Sequence, residues 1–216
     1  MRTPLSESTE ISLASLRLNL LEKVTPLILT YNEAANIERT LQKLSWAMRI
    51  VVVDSFSSDD TLSIIANYPQ VEVFQRKFDT HTTQWNYGLS QVQSDWVLSL
   101  DADYVLTDGL IEELSCLSPP DDVDGYFAAF QYCVSGRPLR GTILPPRQML
   151  FRRSHAIYID DGHTQLLSVE RKSAMLKETV LHDDRKPLSR WLWAQDRYMI
   201  IEAKKLLETP NSALST

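Results

Sequence analysis

Glycine is scarce in this chain, and that scarcity excludes two common ways of holding a nucleotide. Only six glycines occur in 216 residues. Neither Gly-X-Gly-X-X-Gly nor Gly-X-X-X-X-Gly-Lys-Ser/Thr follows the first apolar segment, so no glycine loop cradles a phosphate there. Cysteine is scarcer still. Cys116 and Cys133 lie in apolar settings without knuckle spacing, which argues against a zinc site or a disulfide framework and for a reducing cytosol. No apolar run reaches the length of a membrane span, and Met1 to Lys23 lacks the unbroken apolar centre of a signal peptide. The expected location is cytoplasmic, with peripheral contact at the inner face of a membrane left open. An excess of positive charge is also missing. The formal charge of -6 argues against nucleic acid as a partner and against a general affinity for anionic lipid, although Arg147, Arg152 and Arg153 form a local basic run able to meet phosphate.

What is present is a repeated strand-and-helix grammar. Val24 to Thr30 reads as a short apolar strand, followed through Tyr31-Asn32-Glu33-Ala34 by a helix with Ile37, Leu41 and Leu44 at helical spacing. Ile50 to Val53 is a second strand, ending at Asp54, with Ser57 or Ser58 expected to cap the next helix. Val71 to Phe74 is a third strand, residues 82 to 93 another helix, and Trp96 to Leu100 a fourth strand that stops at Asp101-Ala102-Asp103. Strands alternating with helices predict right-handed crossovers, hence an α/β fold with a mostly parallel sheet. In such sheets ligands bind beyond the carboxyl ends of the strands, where Thr30 with Glu33, Asp54, and Asp101 with Asp103 are expected to share one rim. Taken alone, Asp-X-Asp fits a turn as readily as a cation seat, and Asp54 fits a structural cap as readily as a binding role. Three such ends together favour a site.

The segments Thr30-Tyr31-Asn32-Glu33, Val51-Val52-Val53-Asp54-Ser55 and Leu100-Asp101-Ala102-Asp103 resemble the family 2 glycosyltransferases of the GT-A fold, over roughly residues 24 to 200. The resemblance implies a Rossmann-like, mostly parallel sheet with flanking helices and a smaller mixed subregion on the acceptor side. It also implies an inverting, nucleotide-sugar-dependent enzyme using Mg²⁺ or Mn²⁺, a UDP-sugar as donor, and a glycan or glycolipid acceptor. By position, Thr30, Tyr31 and Glu33 would line the nucleotide pocket and Asp54 would contact the base. The DXD segment of Asp101, Ala102 and Asp103 would meet ribose and metal, with Asp103 the first metal ligand. Gln84 and Asn86 sit where related proteins carry an Arg-Asn-Gly stretch against the nucleotide. Here Trp85 replaces the arginine, and Gln84 and Asn86, which do not share a helix face, would offer neutral hydrogen bonds.

The later half is less regular. An N-terminal appendage (1–22) is expected to precede a nucleotide-sugar half (23–104), an acceptor half with a C-terminal helix (105–208) and a tail (209–216). Tyr158 to Gln165 gathers acids, a histidine and a glycine in one turn, and in similar enzymes an acidic residue from such a segment deprotonates the acceptor hydroxyl. Asp161 is the first choice, because Gly162 leaves open space beside it, and Asp160 the second. Taken singly, Asp160 and His163 also fit a plain hairpin turn. His182 would complete a metal set with Asp101 and Asp103, suiting Mn²⁺ better than Mg²⁺, and equally fits a loop cap. The last helix, about Pro187 to Glu208, carries an apolar stripe, with one of Trp191 and Trp193 expected in the core. Two other readings, a nucleotidyltransferase and a catalytically silent nucleotide-binding module, share this fold. The first would need a glycine- and arginine-bearing loop after the first strand, which is absent.

Overall fold

The computed structural model describes residues 19–142, 144–161 and 164–208. A short 3-10 turn, Leu20–Lys23, leads into β1 (Val24–Thr30), α1 (Ile37–Gln42), β2 (Ile50–Asp54), α2 (Thr61–Ile65), β3 (Val71–Gln75), α3 (His81–Gln91) and β4 (Trp96–Asp101). Next come β5 (Tyr104–Leu106), α4 (Asp108–Cys116), β6 (Val123–Val134), β7 (Arg137–Pro138) and β8 (Arg147–Arg152). The chain then continues through β9 (Ala156–Asp161), β10 (Thr164–Val169), β11 (Lys172–His182) and α5 (Leu188–Glu208). Among the described residues, nine strands form one sheet in the order β3-β2-β1-β4-β8-β6-β11-β5, with β7 on β6. The first four are parallel neighbours, β8 is antiparallel to both β4 and β6, and β11 runs parallel to β6.

The first strands form where the sequence has near-continuous apolar runs. Ile50-Val51-Val52-Val53 is wholly buried, as are Trp96 to Leu100, because helices cover both faces of the parallel half. On one face, Ile37 and Leu41 of α1 and Leu110 and Leu114 of α4 pack with Ile28, Val52 and Leu100. On the other, Trp85 and Leu89 of α3 pack with Leu27, Val53 and Phe151. Gly88 lets α3 lie this close, since a Cβ there would meet Leu27 Cδ1 at 2.7 Å and Val53 Cγ2 at 3.2 Å.

Several elements differ from expectation. Helix α2 is preceded by Asp60, and Ser57 and Ser58 are engaged elsewhere. The acid-rich segment around Tyr158, expected as one turn, is a two-stranded antiparallel hairpin, β9 with β10. No residue of α5 is buried; Trp191 and Trp193 are both about half exposed, and Arg190 and Arg197 stack on Trp193 with guanidinium carbons 4.3 and 4.8 Å from its ring centre. A core tryptophan is therefore not seen there. Leu20 and Leu21, placed in the appendage by sequence, belong to the core.

Candidate active site

The carboxyl ends of β1, β2 and β4 meet on one rim, with Thr30 opposite Asp54 and Leu29 opposite Asp101 in register. Beyond β1 and β2 the two loops are stitched together by polar bonds. Ser57 Oγ accepts from the Asn32 amide, Asn32 Oδ1 accepts from the Ser58 amide, and Thr61 Oγ1 and Asp59 accept from the amides of Glu33 and Ala34. Asn32 and Phe56 take left-handed backbone angles, φ 54° and 62°. Asparagine adopts that region readily, whereas an aromatic residue does so at a cost and only when its surroundings hold it. The result leaves Tyr31 and Phe56 as two half-exposed rings beside this stitched pair of loops. Phe56 was not singled out from the sequence, because nothing in a Ser-Phe-Ser run announces its conformation.

Asp54 is fully buried beneath this rim. Its carboxylate accepts from Thr30 Oγ1 (3.1 Å), the Ser57 amide (2.9 Å), Ser57 Oγ (2.5 Å) and Gln75 Nε2 (3.2 Å). Four protein donors fill both oxygens, so Asp54 organises the pocket from below.

A third segment, the run after β11, closes against the first loop. Asn36, fully buried, donates to Glu33 Oε2 and Asp184 Oδ1, and its own oxygen accepts from the Arg185 amide, all at 2.8 Å. Arg39 binds both the carboxylate and the carbonyl of Asp183. Lys186 Nζ reaches Glu33 Oε1 at 2.6 Å, and the Asp183 amide donates to the Asp103 carbonyl at 3.0 Å. Loops 31–36, 101–104 and 182–186 thus share one polar knot. Burial raises the Glu33 carboxyl to a pKa of about 7 despite the Lys186 ammonium beside it. Burial works against the Lys186 charge too, but Glu33, then Asp184 and Asp103, hold its pKa above the ordinary lysine value. Asn36 and Lys186 were missed in the sequence; His182-Asp183-Asp184-Arg185-Lys186 offered a dense polar run after a strand as the available signal.

His182 and Asp103 form the centre of the knot, Nε2 to Oδ2 at 3.2 Å. Burial opposes charge on both. The imidazole nevertheless keeps the Asp103 carboxyl below its usual range, and Asp103 keeps His182 above its own. Two neighbouring ligands of an octahedral ion with bonds of about 2.1 Å lie about 3.0 Å apart, so this separation matches one edge of such a shell. A carboxylate with an imidazole suits Mn²⁺ as a donor pair. The three expected ligands do not converge, however. Among the described residues no group of three or more His, Cys, Asp or Glu side chains gathers round one point. Asp101 instead lines a cleft and lies beside the Tyr104 hydroxyl, whose pKa burial and that carboxylate push well up. Any ion held by Asp103 and His182 would need oxygens from a ligand. Ala102 is buried, its carbonyl bonded by Thr40 Oγ1 at 2.7 Å, and acts as a backbone anchor.

Gln84 and Asn86 are not brought to the rim. Gln84 is fully buried, bonded to Ser55 Oγ, the Arg76 carbonyl and the Arg76 guanidinium. Asn86 pairs with the backbone of Tyr158 in both directions, at 2.9 and 3.0 Å, and so ties α3 to β9. Trp85 is buried and stacks on the Tyr158 ring at 5.3 Å between centres. Both amides are occupied within the protein.

Beyond Asp101, on the side away from the stitched loops, lies a cleft of about 260 Å³ lined among others by Ser99, Tyr104, Phe130, Arg147, Tyr158 and Leu167. The β9–β10 hairpin forms one wall. Asp160 lies opposite Gln165 and Asp161 opposite Thr164, at the hairpin tip. Side chains alternate along a strand, so Asp160 shares the face of Tyr158 and Leu167. Gly162 and His163 lie outside the described residues.

Comparison with known proteins decides the family. The model described as glycosyl transferase family 2 matches residues 27–170. The chain belongs to that family. An uncharacterized glycosyltransferase of Rickettsia felis is 32% identical over 109 residues, half of this chain and 38% of that protein, so the match spans well under two thirds of the relative. The lipopolysaccharide core biosynthesis glycosyltransferase LpsC of Rhizobium meliloti is 27% identical over 47% of this chain and 40% of its own length. Among solved structures, S. aureus TarS 1-349 in complex with UDP-GlcNAc superposes with a TM-score of 0.59 at 16% identity, covering 76% of this chain and 59% of that one. Glucosyl-3-phosphoglycerate synthase of Mycobacterium tuberculosis, in complex with Mn²⁺, UDP and phosphoglyceric acid, gives 0.57 at 15% identity, covering 100% and 87%. At these identities the structures show the fold, which is GT-A. Among the described residues, no helix is long and apolar enough to cross a membrane.

Proposed function

We propose that this chain is a glycosyltransferase that moves a sugar from a UDP-sugar to an acceptor hydroxyl with inversion, assisted by Mn²⁺ or Mg²⁺. The observation that carries the reading is the Asp103–His182 pair, 3.2 Å apart, beside the knot of loops 31–36 and 182–186. Support also comes from relatives whose structures contain UDP-GlcNAc, or UDP with Mn²⁺. In this reading Tyr31, with Phe56, faces the base, and Thr30 and Asp54 hold the loop that carries them. Asp103 and His182 would hold the cation, which would supply charge neutralisation for a departing diphosphate. Lys186, kept protonated by Glu33, adds a fixed positive charge beside Asp103. The cleft beyond Asp101 takes the sugar and the acceptor, and an acid at the tip of β9–β10 removes the acceptor proton. The candidates for that acid are Asp161 and Asp160. A single displacement at the anomeric carbon gives inversion.

Calorimetric titration of UDP with and without MnCl₂ tests the metal. Asp103→Asn should keep the fold and lose the Mn²⁺-dependent gain in UDP affinity; an undiminished gain would refute the assignment. Turnover of a UDP-sugar panel by Asp160→Asn and Asp161→Asn reads the base, with a loss of about 100-fold expected for the residue that takes the proton. A third outcome, full turnover in both variants, would move the base off the hairpin.

A further inference from the structure

The basic run Arg147, Arg152 and Arg153 does not act as one patch. Arg152 lies over the Trp96 ring at 4.7 Å and donates to the Val123 carbonyl, beside the Asp124 carboxylate. Arg153 donates to the Ser94 carbonyl. Both stand where β8 leaves β4, at the opposite end of that strand from Asp101. Arg147 opens β8 at the other end, opposite Ala128 of β6, and lines the cleft beyond Asp101. It is only partly exposed, and no described residue accepts a hydrogen bond from its guanidinium or forms an ion pair with it. A guanidinium carries five donors in a fixed plane, and a partly desolvated one without an acceptor is unusual, since buried charge is ordinarily paired.

The surroundings do not supply the missing partner. The walls beside Arg147 are Tyr104, Phe127, Phe130, Met149 and Tyr158, apolar in body. Tyr104, Tyr132 and Tyr158 all feel its charge, yet burial, not Arg147, governs each of their hydroxyls, which stay protonated. Asp101 lines the same cleft without pairing with it. Pro145 and Pro146 precede Arg147, and a restricted backbone there fixes where the side chain starts. The cleft thus offers ring faces for a sugar and one unspent, planar cation, a combination suited to bidentate binding of a carboxylate or phosphate.

We infer that Arg147 is a specificity residue for the acceptor, which carries an anionic group, phosphate or carboxylate, near the hydroxyl that is glycosylated. This rests on reading the cleft as the acceptor side of the transferase. Binding of glucose, glucose 6-phosphate and glucuronate to the full chain, followed by calorimetry in the presence and absence of UDP and MnCl₂, tests it without the natural acceptor. Expected is a preference of about 10-fold or more for at least one anionic sugar over glucose, a gap typical of one charge-assisted bidentate contact. Arg147→Met, which keeps the aliphatic stem, should erase the preference, and Arg147→Lys should restore part of it. The anion that wins tells phosphate from carboxylate. Equal binding of all three sugars, or an unchanged preference in Arg147→Met, overturns the inference. So does a fall in UDP affinity in Arg147→Met as large as the fall for the anionic sugar, which would assign the guanidinium to the donor diphosphate. A loss confined to UDP-glucuronate relative to UDP-glucose would overturn it likewise, by assigning it to the donor sugar. If wild-type protein fails to bind UDP at all, the donor assignment falls, while the sugar comparison without UDP still reads Arg147.

Discussion

Removing the Asp54 carboxylate separates an organising role from direct contact with a base. In Asp54→Ala, Thr30 Oγ1, the Ser57 amide, Ser57 Oγ and Gln75 Nε2 all lose their acceptor at once, and Asp54 is fully buried. A buried donor left unpaired costs about 1–3 kcal/mol. The two hydroxyls can turn toward other acceptors, so the amide of Ser57 and the Gln75 side chain dominate, giving an expected loss of about 3–5 kcal/mol. A simple helix cap would cost about 1 kcal/mol. Asp54→Asn should lose less, about 2 kcal/mol, because one oxygen still accepts from the hydroxyls while the new amide faces donors. Urea unfolding with an unchanged slope measures both. The loss should also travel outward, since Ser57 Oγ accepts from the Asn32 amide, so UDP affinity in the cold, where the variants stay folded, should fall with them. A loss below about 1 kcal/mol in Asp54→Ala, or an alanine variant as stable as the asparagine one, would refute the network argument.

Other substitutions test other parts of the structure. Asn86→Ala removes both bonds to the Tyr158 backbone and should cost about 2 kcal/mol, seen as faster amide exchange in β9 with UDP affinity unchanged. Gly88→Ala forces a Cβ to within 2.7 Å of Leu27 Cδ1, and an overpacking loss of about 1–3 kcal/mol should appear in thermal melts. Glu33 has a folded pKa of about 7 against 4.5 unfolded, so the folded protein binds more protons between those values and this group's contribution to stability falls as pH rises through that window. Glu33→Gln should therefore gain on wild type between pH 5 and pH 8 by about 1–3 kcal/mol, while parallel urea midpoints at the two pH values would contradict the burial argument.

The parallel half was legible because its strands are covered on both faces, and full burial leaves long apolar runs such as Ile50 to Val53 and Trp96 to Leu100. The rim was legible for the same reason, since a carboxylate that ends such a run stands at an edge. The partners of those carboxylates were not. Asn36 meets Asp184 across 148 residues and Lys186 meets Glu33 across 153, and no local pattern carries a contact of that separation. Gln84 and Asn86 drew interest through their position in the family resemblance, which does not say what each side chain meets. On a helix the face decides, and here one face is core and the other is clamped to β9. The hairpin was read as a turn because Asp160-Asp161-Gly162 is strong turn chemistry, while the short strands on either side alternate only weakly.

The two sides of the site are held by different means, and this separates what mutations on each should do. On the proposed nucleotide side, Asp54, Asn36 and Arg39 lock three loops through bonds between buried or half-buried polar groups. On the cleft side, β9 and β10 pair with each other as a separate two-stranded sheet among the described residues. Tyr158 of β9 meets the Phe151 ring of β8 edge-on, and it is also held by the Asn86 clamp and by its stack on Trp85. Both of those contacts come from α3, which also packs on β1 and β2 through Gly88. Helix α3 is therefore one element through which the parallel sheet holds the wall proposed to face the acceptor. Loosening its contact with Tyr158 should raise the KM for acceptor and leave donor affinity intact, whereas loosening Asp54 should do the reverse. Equal effects of Asn86→Ala and Asp54→Asn on both substrates would show that the two sides move as one.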